Sequence, residues 1–294
     1  MTEMNMIASL NSALDNMLEV HDNVVIFGED VGYFGGVFRV TDGLQEKHGA
    51  HRVFDAPLAE GGIAAIAFGM GLNGLRPVAE IQFADYIFPA YDQIVNEIAK
   101  LRHRSGGEFS TPVTIRTPAG GGIKGGHHHS QSPESQFTHT PGLKVVYCSN
   151  PNNAKGLLTS AIECNDPVIF FEPKRCYRGP FYGDPHNVPT WKGHAKADVP
   201  EGHYSIPLEQ AEVVMEGDAC TVIAWGAMVH VAEQGIKDSG INAELIDLQT
   251  LLPWDRDTVV NSVKKTGRCV IVHEAPKTSG FGAEMSVSIQ ERCF

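Results

Sequence analysis

Short β-branched runs recur along this chain, and most are followed by a longer segment with the period of a helix. That alternation constrains the fold more than any other feature. Asn23–Phe27, Val78–Phe83, Val113–Arg116, Lys144–Cys148 and Val168–Glu172 read as strands. Gly62–Leu72, Tyr91–Arg104 and Asn153–Cys164 read as helices, with Ile94, Ile98 and Leu101 on one face at spacings of four and three. Neighbouring parallel strands need a crossover connection, and a helix supplies it, so the pattern predicts mostly parallel sheets flanked by helices.

The pattern breaks between Cys176 and Pro207, where proline, glycine and histidine accumulate without periodicity, and then resumes. Cys220–Ala224, Ala243–Asp247 and Cys269–His273 are strand-like; Val229–Lys237, Asp255–Lys264 and Ala283–Glu291 are helix-like. Asp255 and Asp257 suit a helix start, where the dipole favours negative charge. The expected organisation is an α/β domain over residues 1–175, a linker or extended loop over 176–207, and a second α/β domain over 208–294. The last ends at Phe294 inside a helical segment and is expected to be incomplete.

A net charge of −12 over 294 residues argues against nucleic acid as a partner, since phosphate binding needs a basic face. The longest mostly apolar stretch, Gly61–Leu75, is short and interrupted by glycines, so no membrane span is expected. The six cysteines are scattered with no CxxC pair and no secretory signal ahead of them, which predicts reduced thiols and a cytoplasmic location.

Three segments contain residues suited to chemistry. In Phe54–Gly62, Glu60 follows a strand–turn and precedes glycines that open a helix, the place where α/β sheets bind ligands. A carboxylate in a first helical turn is also simply favourable to the dipole, and on position alone that plainer reading weighs more. In Glu80–Phe88, Tyr86 comes just past a strand end, where its ring could lie on a planar ligand or belong to the core. In Ala119–Ser132, five glycines precede His127, His128 and His129. These histidines could bind a metal, form a solvated tract, or include one acid/base group. Adjacent histidines diverge, and no acidic or cysteine ligand has suitable spacing, so the residues alone favour the solvated tract. There is no GxxxxGK[ST] loop, no GxGxxG after the first strand and no GxSxG elbow.

Taken together and in order, these segments resemble the β subunit of the decarboxylating component of 2-oxoacid dehydrogenase complexes. The resemblance is carried by Phe27-Gly28-Glu29-Asp30-Val31, Arg52–Glu60, Gly74-Leu75-Arg76-Pro77 and His129-Ser130-Gln131-Ser132-Pro133-Glu134. It continues through Pro141–Val146, Ala154–Leu158, Phe170–Lys174, Ile246-Asp247-Leu248, Pro253-Trp254-Asp255 and His273-Glu274-Ala275, almost the whole chain. The Gln82–Pro89 and His129–Glu134 runs are closer to the branched-chain members than to the pyruvate ones.

The resemblance implies oxidative decarboxylation of branched-chain 2-oxoacids by thiamine diphosphate and transfer of the acyl group to a lipoyl domain. It implies an α2β2 assembly docked on a lipoyl acyltransferase core. The cofactor is shared: the α chain holds magnesium and the diphosphate through a Gly-Asp-Gly…Asn motif, and the β chain holds the aminopyrimidine. That motif is absent here, Gly217-Asp218-Ala219 being the nearest run. Glu60 corresponds to the glutamate bonded to N1′ of the aminopyrimidine, Tyr86 to a stacking residue, and Glu29 to a second acid near the cofactor. His129 corresponds to a histidine that assists proton transfer or lipoyl acylation. In some relatives a monovalent cation, potassium, is bound; its ligands map to Val113, Thr114, Ala161, Cys164 and Asp166. The rival readings are a pyruvate or acetoin dehydrogenase β subunit, a non-catalytic assembly subunit, and a zinc protein using the three histidines.

Overall fold

The structure is a computed structural model and describes residues 1–178 and 196–294. The first half runs β1 (Thr2–Met4), α1 (Met6–Val20), β2 (Val24–Gly28), α2 (Leu44–His48), β3 (Val53–Asp55), α3 (Glu60–Leu72) and β4 (Arg76–Glu80). It continues with α4 (Leu101–Arg104), β5 (Thr114–Ala119), α5 (Glu134–Thr138), β6 (Lys144–Tyr147), α6 (Pro151–Glu163), β7 (Val168–Pro173) and α7 (Lys174–Arg178). The second half holds β8 (Ala197–Val199), β9 (Glu212–Met215), β10 (Cys220–Ala224), α8 (Met228–Ser239) and β11 (Ala243–Asp247). After these come β12 (Thr250–Leu252), α9 (Arg256–Thr266), β13 (Cys269–Val272) and α10 (Phe281–Cys293).

Two layered sheets result, as the alternation predicts. The larger has the order β12-β6-β7-β5-β4-β2-β3 and is parallel except for β12, which pairs antiparallel with β6. The smaller has the order β13-β10-β11-β9, parallel except for β9. Every residue of β2 (Val-Val-Ile-Phe-Gly) is buried, as expected of a parallel strand covered on both faces. After β2 the chain adds β3 on one side and then returns to place β4 on the other. At such a reversal of strand order a crevice opens beyond the carboxyl ends, and ligands bind there.

Helices α1 and α6 cover one face. Asn5 caps α1 by accepting from the Ala8 amide at 2.8 Å, and Asn150 with Asn153 forms a reciprocal cap on α6. Leu10, Leu14 and Met17 of α1 are fully buried, each contributing roughly 1.5–3 kcal/mol. Asp255 caps α9, accepting from the Thr258 amide at 3.1 Å and the Thr258 hydroxyl at 2.7 Å. Among the described residues no helix is long and apolar enough to cross a membrane.

The structure departs from the sequence reading at three places. The expected helix Tyr91–Arg104 is interrupted by a π-helical turn over Gln93–Ile98, with the Ala99 amide bonded to Ile94 O at 2.9 Å. The Thr111 hydroxyl takes the Ile98 carbonyl at 3.0 Å, and a Cβ on Gly142 (φ +98°) would collide with the Ala99 carbonyl, so this segment's carbonyls are engaged from outside. The expected linker 176–207 begins inside α7 and contains β8, which pairs with β1; residues 179–195 lie outside the described residues. Third, β12 belongs in sequence to the second half yet completes the first half's sheet.

Candidate active site

The carboxyl ends of β2, β3, β4 and β5 lead into the segments that carry Glu29, Glu60, Tyr86 and His129. Glu29 follows β2 directly. Burial, then the negative charges of Asp30 and Glu60, raise its pKa, so Glu29 and Glu60 share one field. Glu60 is the first residue of α3 and its side chain is half-buried at the helix's positive end. Space is tight beside it: a Cβ on Gly61 would lie 3.1 Å from the Pro89 carbonyl, so the start of α3 packs on the segment that follows Tyr86.

His129 lies in a small aromatic cluster. The Phe83 ring meets it edge-on at 4.4 Å, and the Tyr86 hydroxyl is 3.1 Å from its Nε2. Its Nδ1 is 3.0 Å from the Gly125 carbonyl, which can only accept. Nδ1 therefore carries the proton in the neutral ring, and Tyr86 donates its hydroxyl proton to the Nε2 lone pair. The Tyr86 ring, expected to stack on the cofactor, stands edge-on to Phe83 at 5.7 Å, and its hydroxyl reaches His129. His127 and His128 are exposed, their rings 3.8 Å apart, and no group of three or more His, Cys, Asp or Glu placed for a metal occurs among the described residues.

The glycine-rich loop reads as mobile in sequence, but the structure ties it at its base. The Gly120 amide donates to the Gln131 carbonyl at 2.9 Å, closing the loop on itself. Asp85 accepts from the Ser130 and Gln131 amides, each at 3.2 Å. Glu274, from the second half, accepts from the Gly121 amide at 2.7 Å. The close approach requires glycine: Gly120 has φ +77°, and a Cβ there would lie 2.5 Å from the Glu274 carboxylate. Nearby, Lys174 is buried, its ammonium donating to Pro118 O at 3.3 Å and lying 5.6 Å from the Phe83 ring centroid. Burial pulls its pKa down to about 8 against the opposing pull of Asp85 and Glu274.

Beneath the strand ends lies a buried ionic network that the sequence reading missed. Arg116 of β5 donates Nε and Nη2 to the two oxygens of Glu172 on β7, each at 2.7 Å, and Nη1 to Glu80 on β4. Tyr177 donates its hydroxyl to Glu172. Burial alone would lower the Arg116 pKa, but the Glu172 and Glu80 carboxylates outweigh it and hold the guanidinium charged. Burial likewise pushes Glu80 up. The available signal was a charged residue within each of three strands that read as buried; Glu80 and Arg116 are register partners.

The residues expected to hold a monovalent cation are engaged within the protein. Val113 O accepts from the Val168 amide at 2.9 Å, and the Thr114 hydroxyl donates to Ala161 O at 3.1 Å. Cys164 O accepts from Arg76 at 3.1 Å, and Asp166 pairs with Arg102 at 3.2 Å.

Comparison with known proteins identifies the family. Residues 2–180 match the family "Transketolase, pyrimidine binding domain", and residues 209–294 match "Transketolase, C-terminal domain". The chain is 57% identical to the 2-oxoisovalerate dehydrogenase subunit beta of Pseudomonas aeruginosa, covering 100% of this chain and 84% of that one. The mitochondrial counterpart in Dictyostelium discoideum is 55% identical over 99% of this chain and 76% of its own. A pyruvate dehydrogenase E1 component subunit beta from Acholeplasma laidlawii is more distant, at 46% identity over 98% and 85%. A solved split-gene transketolase, an inactive beta4 tetramer, shares the fold with a TM-score of 0.74 at 20% identity, covering 98% of this chain and 84% of that one. With two transketolase-type domains and 57% identity to a 2-oxoisovalerate dehydrogenase subunit beta, this chain belongs to the thiamine-diphosphate-dependent family of 2-oxoacid dehydrogenase β subunits, on the branched-chain side.

Proposed function

We propose that this chain forms the aminopyrimidine-binding half of an active site shared with an α subunit, acting on branched-chain 2-oxoacids. The observation that carries the reading is Glu60 in the first turn of α3, coupled electrostatically to Glu29 and packed beside the segment of Tyr86. The donor set fits one end of thiamine diphosphate. A carboxyl at a helix start suits a ring nitrogen, and the Phe83–Tyr86–His129 aromatics suit a planar ring. The magnesium and the diphosphate end are assigned to the α subunit in this reading. The large exposed apolar side chains Tyr33, Phe34, Leu58 and Phe88 follow the carboxyl ends of β2, β3 and β4, which supports a second polypeptide covering this face.

When bound, thiamine diphosphate supplies an acidic carbon and an electron sink for loss of carbon dioxide. Glu60 would hold the aminopyrimidine ring nitrogen by sharing a proton with it, and so would set the tautomer of that ring. Burial and the neighbouring charges of Asp30 and Glu60 raise the Glu29 pKa, which favours its holding a proton beside Glu60. His129 directs Nε2 at the Tyr86 hydroxyl, 3.1 Å away, and this pair is placed to relay a proton. A lipoyl disulfide of the acyltransferase core would be the acyl acceptor, its S–S bond opening to take up the two electrons.

The test is decarboxylation of 3-methyl-2-oxobutanoate and of pyruvate, with thiamine diphosphate and magnesium, by this chain with and without a co-expressed α subunit. Activity is expected only in the mixture and higher on the branched substrate. Glu60→Gln is expected to lower it about 10²–10⁴-fold, the range of general acid–base groups. Activity of the chain alone, or near-normal turnover by Glu60→Gln, overturns the assignment.

A further inference from the structure

The carboxyl end of α6 is where a bound potassium ion is expected from the family resemblance, and the residues there do not fit one. A helix terminus leaves its last carbonyls without intrahelical partners, and these gather partial negative charge. Potassium, held by such carbonyls, answers both needs. In this chain both are already answered by a side chain. Arg76, the first residue of β4, donates Nη1 to Ile162 O, Glu163 O and Cys164 O at 3.0, 3.0 and 3.1 Å. Its Nη2 donates to the Asn165 side-chain oxygen at 2.7 Å. One permanently charged guanidinium therefore spans three consecutive backbone oxygens and the side chain that follows.

The other expected ligands point the same way. The Thr114 hydroxyl donates its proton to Ala161 O at 3.1 Å. The Val113 carbonyl is taken by the β7 amide of Val168. Asp166, the one formal negative charge in the set, is paired with Arg102 at 3.2 Å, and its amide meets Cys164 Sγ at 3.4 Å. A potassium ion here would meet two guanidinium groups and no uncommitted anion.

We infer that Arg76 is a built-in monovalent cation: it replaces bound potassium at the end of α6, and this chain folds independently of that ion. The inference concerns a helix end remote in sequence from Glu60 and His129, so its failure and that of the catalytic reading are separable. Arg76 ties β4 to α6 by a covalently attached charge, which needs no ion from solution.

The experiment compares thermal unfolding of the purified protein in potassium chloride and choline chloride at equal ionic strength, alongside Arg76→Met. The wild-type midpoint is expected to be the same in both salts. Arg76→Met, which bares the carbonyls, is expected to unfold at lower temperature in choline and to regain about 2–4 °C when potassium is supplied. A potassium-specific rise in the wild-type midpoint overturns the inference, as does a variant that folds but ignores potassium. Should the variant not fold, wild-type crystals grown in thallium(I) decide the matter. Anomalous density within ligand distance of Ala161 O and Cys164 O refutes it, and density without that peak supports it.

Discussion

The two supports of the candidate site are built in opposite ways. Below the strand ends, Arg116, Glu80 and Glu172 form a closed network inside regular β-structure, almost sealed from water. Above them, the loop bearing His129 is irregular and half-exposed, tied at its backbone amides by two contacts from Asp85 and one from Glu274. The deep network fixes the positions of β4, β5 and β7, whereas the loop ties fix where one imidazole points. Removing a member of the first should be felt as stability, and removing a tie of the second as lost function.

The largest expected effect tests the deep side. Arg116→Met leaves two buried carboxylates without their cation and is expected to cost about 3–5 kcal/mol in denaturant unfolding. A cost within about 1 kcal/mol would mean that the network is solvated and that the contrast is false. A smaller stability effect is expected on the loop side. Glu274→Ala should shift unfolding by no more than about 1–2 kcal/mol, because the Gly121 amide can turn to water. Hydrogen exchange at the base of the loop should nevertheless quicken about tenfold, and turnover of the assembled enzyme should fall with it. Unchanged exchange would show that the loop is held by something other than this tie.

The smallest effect tests a third support, where the helix following the loop meets the second half. Trp225 donates Nε1 to Glu134 at 3.2 Å, and burial lifts the Glu134 carboxyl from its ordinary 4.5 to about 7. A carboxyl raised in the folded state stabilises fully below its unfolded pKa and loses that contribution as pH rises through the folded one. Stability is therefore expected to decline between pH 4.5 and about 7. Glu134→Gln, which still offers Trp225 an acceptor, should flatten that decline. An unchanged slope would place the titration elsewhere, with buried Asp247, also raised by burial to about 7 and bonded to the Ser149 hydroxyl at 2.5 Å, next to be examined.

How much of this was legible in sequence follows the same division. β2, β4, β5, β6 and β7 announce themselves by β-branched runs, because buried parallel strands need apolar residues on both faces. β12 does not, since Thr-Leu-Leu is too short to show a period and its partner lies more than a hundred residues away. Glu60 and His129 were visible as residue types, but position alone favoured a dipole-satisfying acid and a solvated histidine tract. Only the resemblance across many segments gave them roles. Asp85, Glu274, Lys174 and Arg76 were in plain view without a role, because each acts through a partner brought near only by the tertiary fold.

The pairing of β12 with β6 has a consequence for the order in which the protein can be made. A ribosome delivers residues 1–178 well before Thr250–Leu252, so the growing chain holds a six-stranded sheet whose β6 edge has nothing to bond. An open edge is a template for another nascent chain. The interval between synthesis of β7 and β12 is thus the time at which this protein most needs a chaperone, and slowing translation between those codons should raise the fraction lost to aggregation.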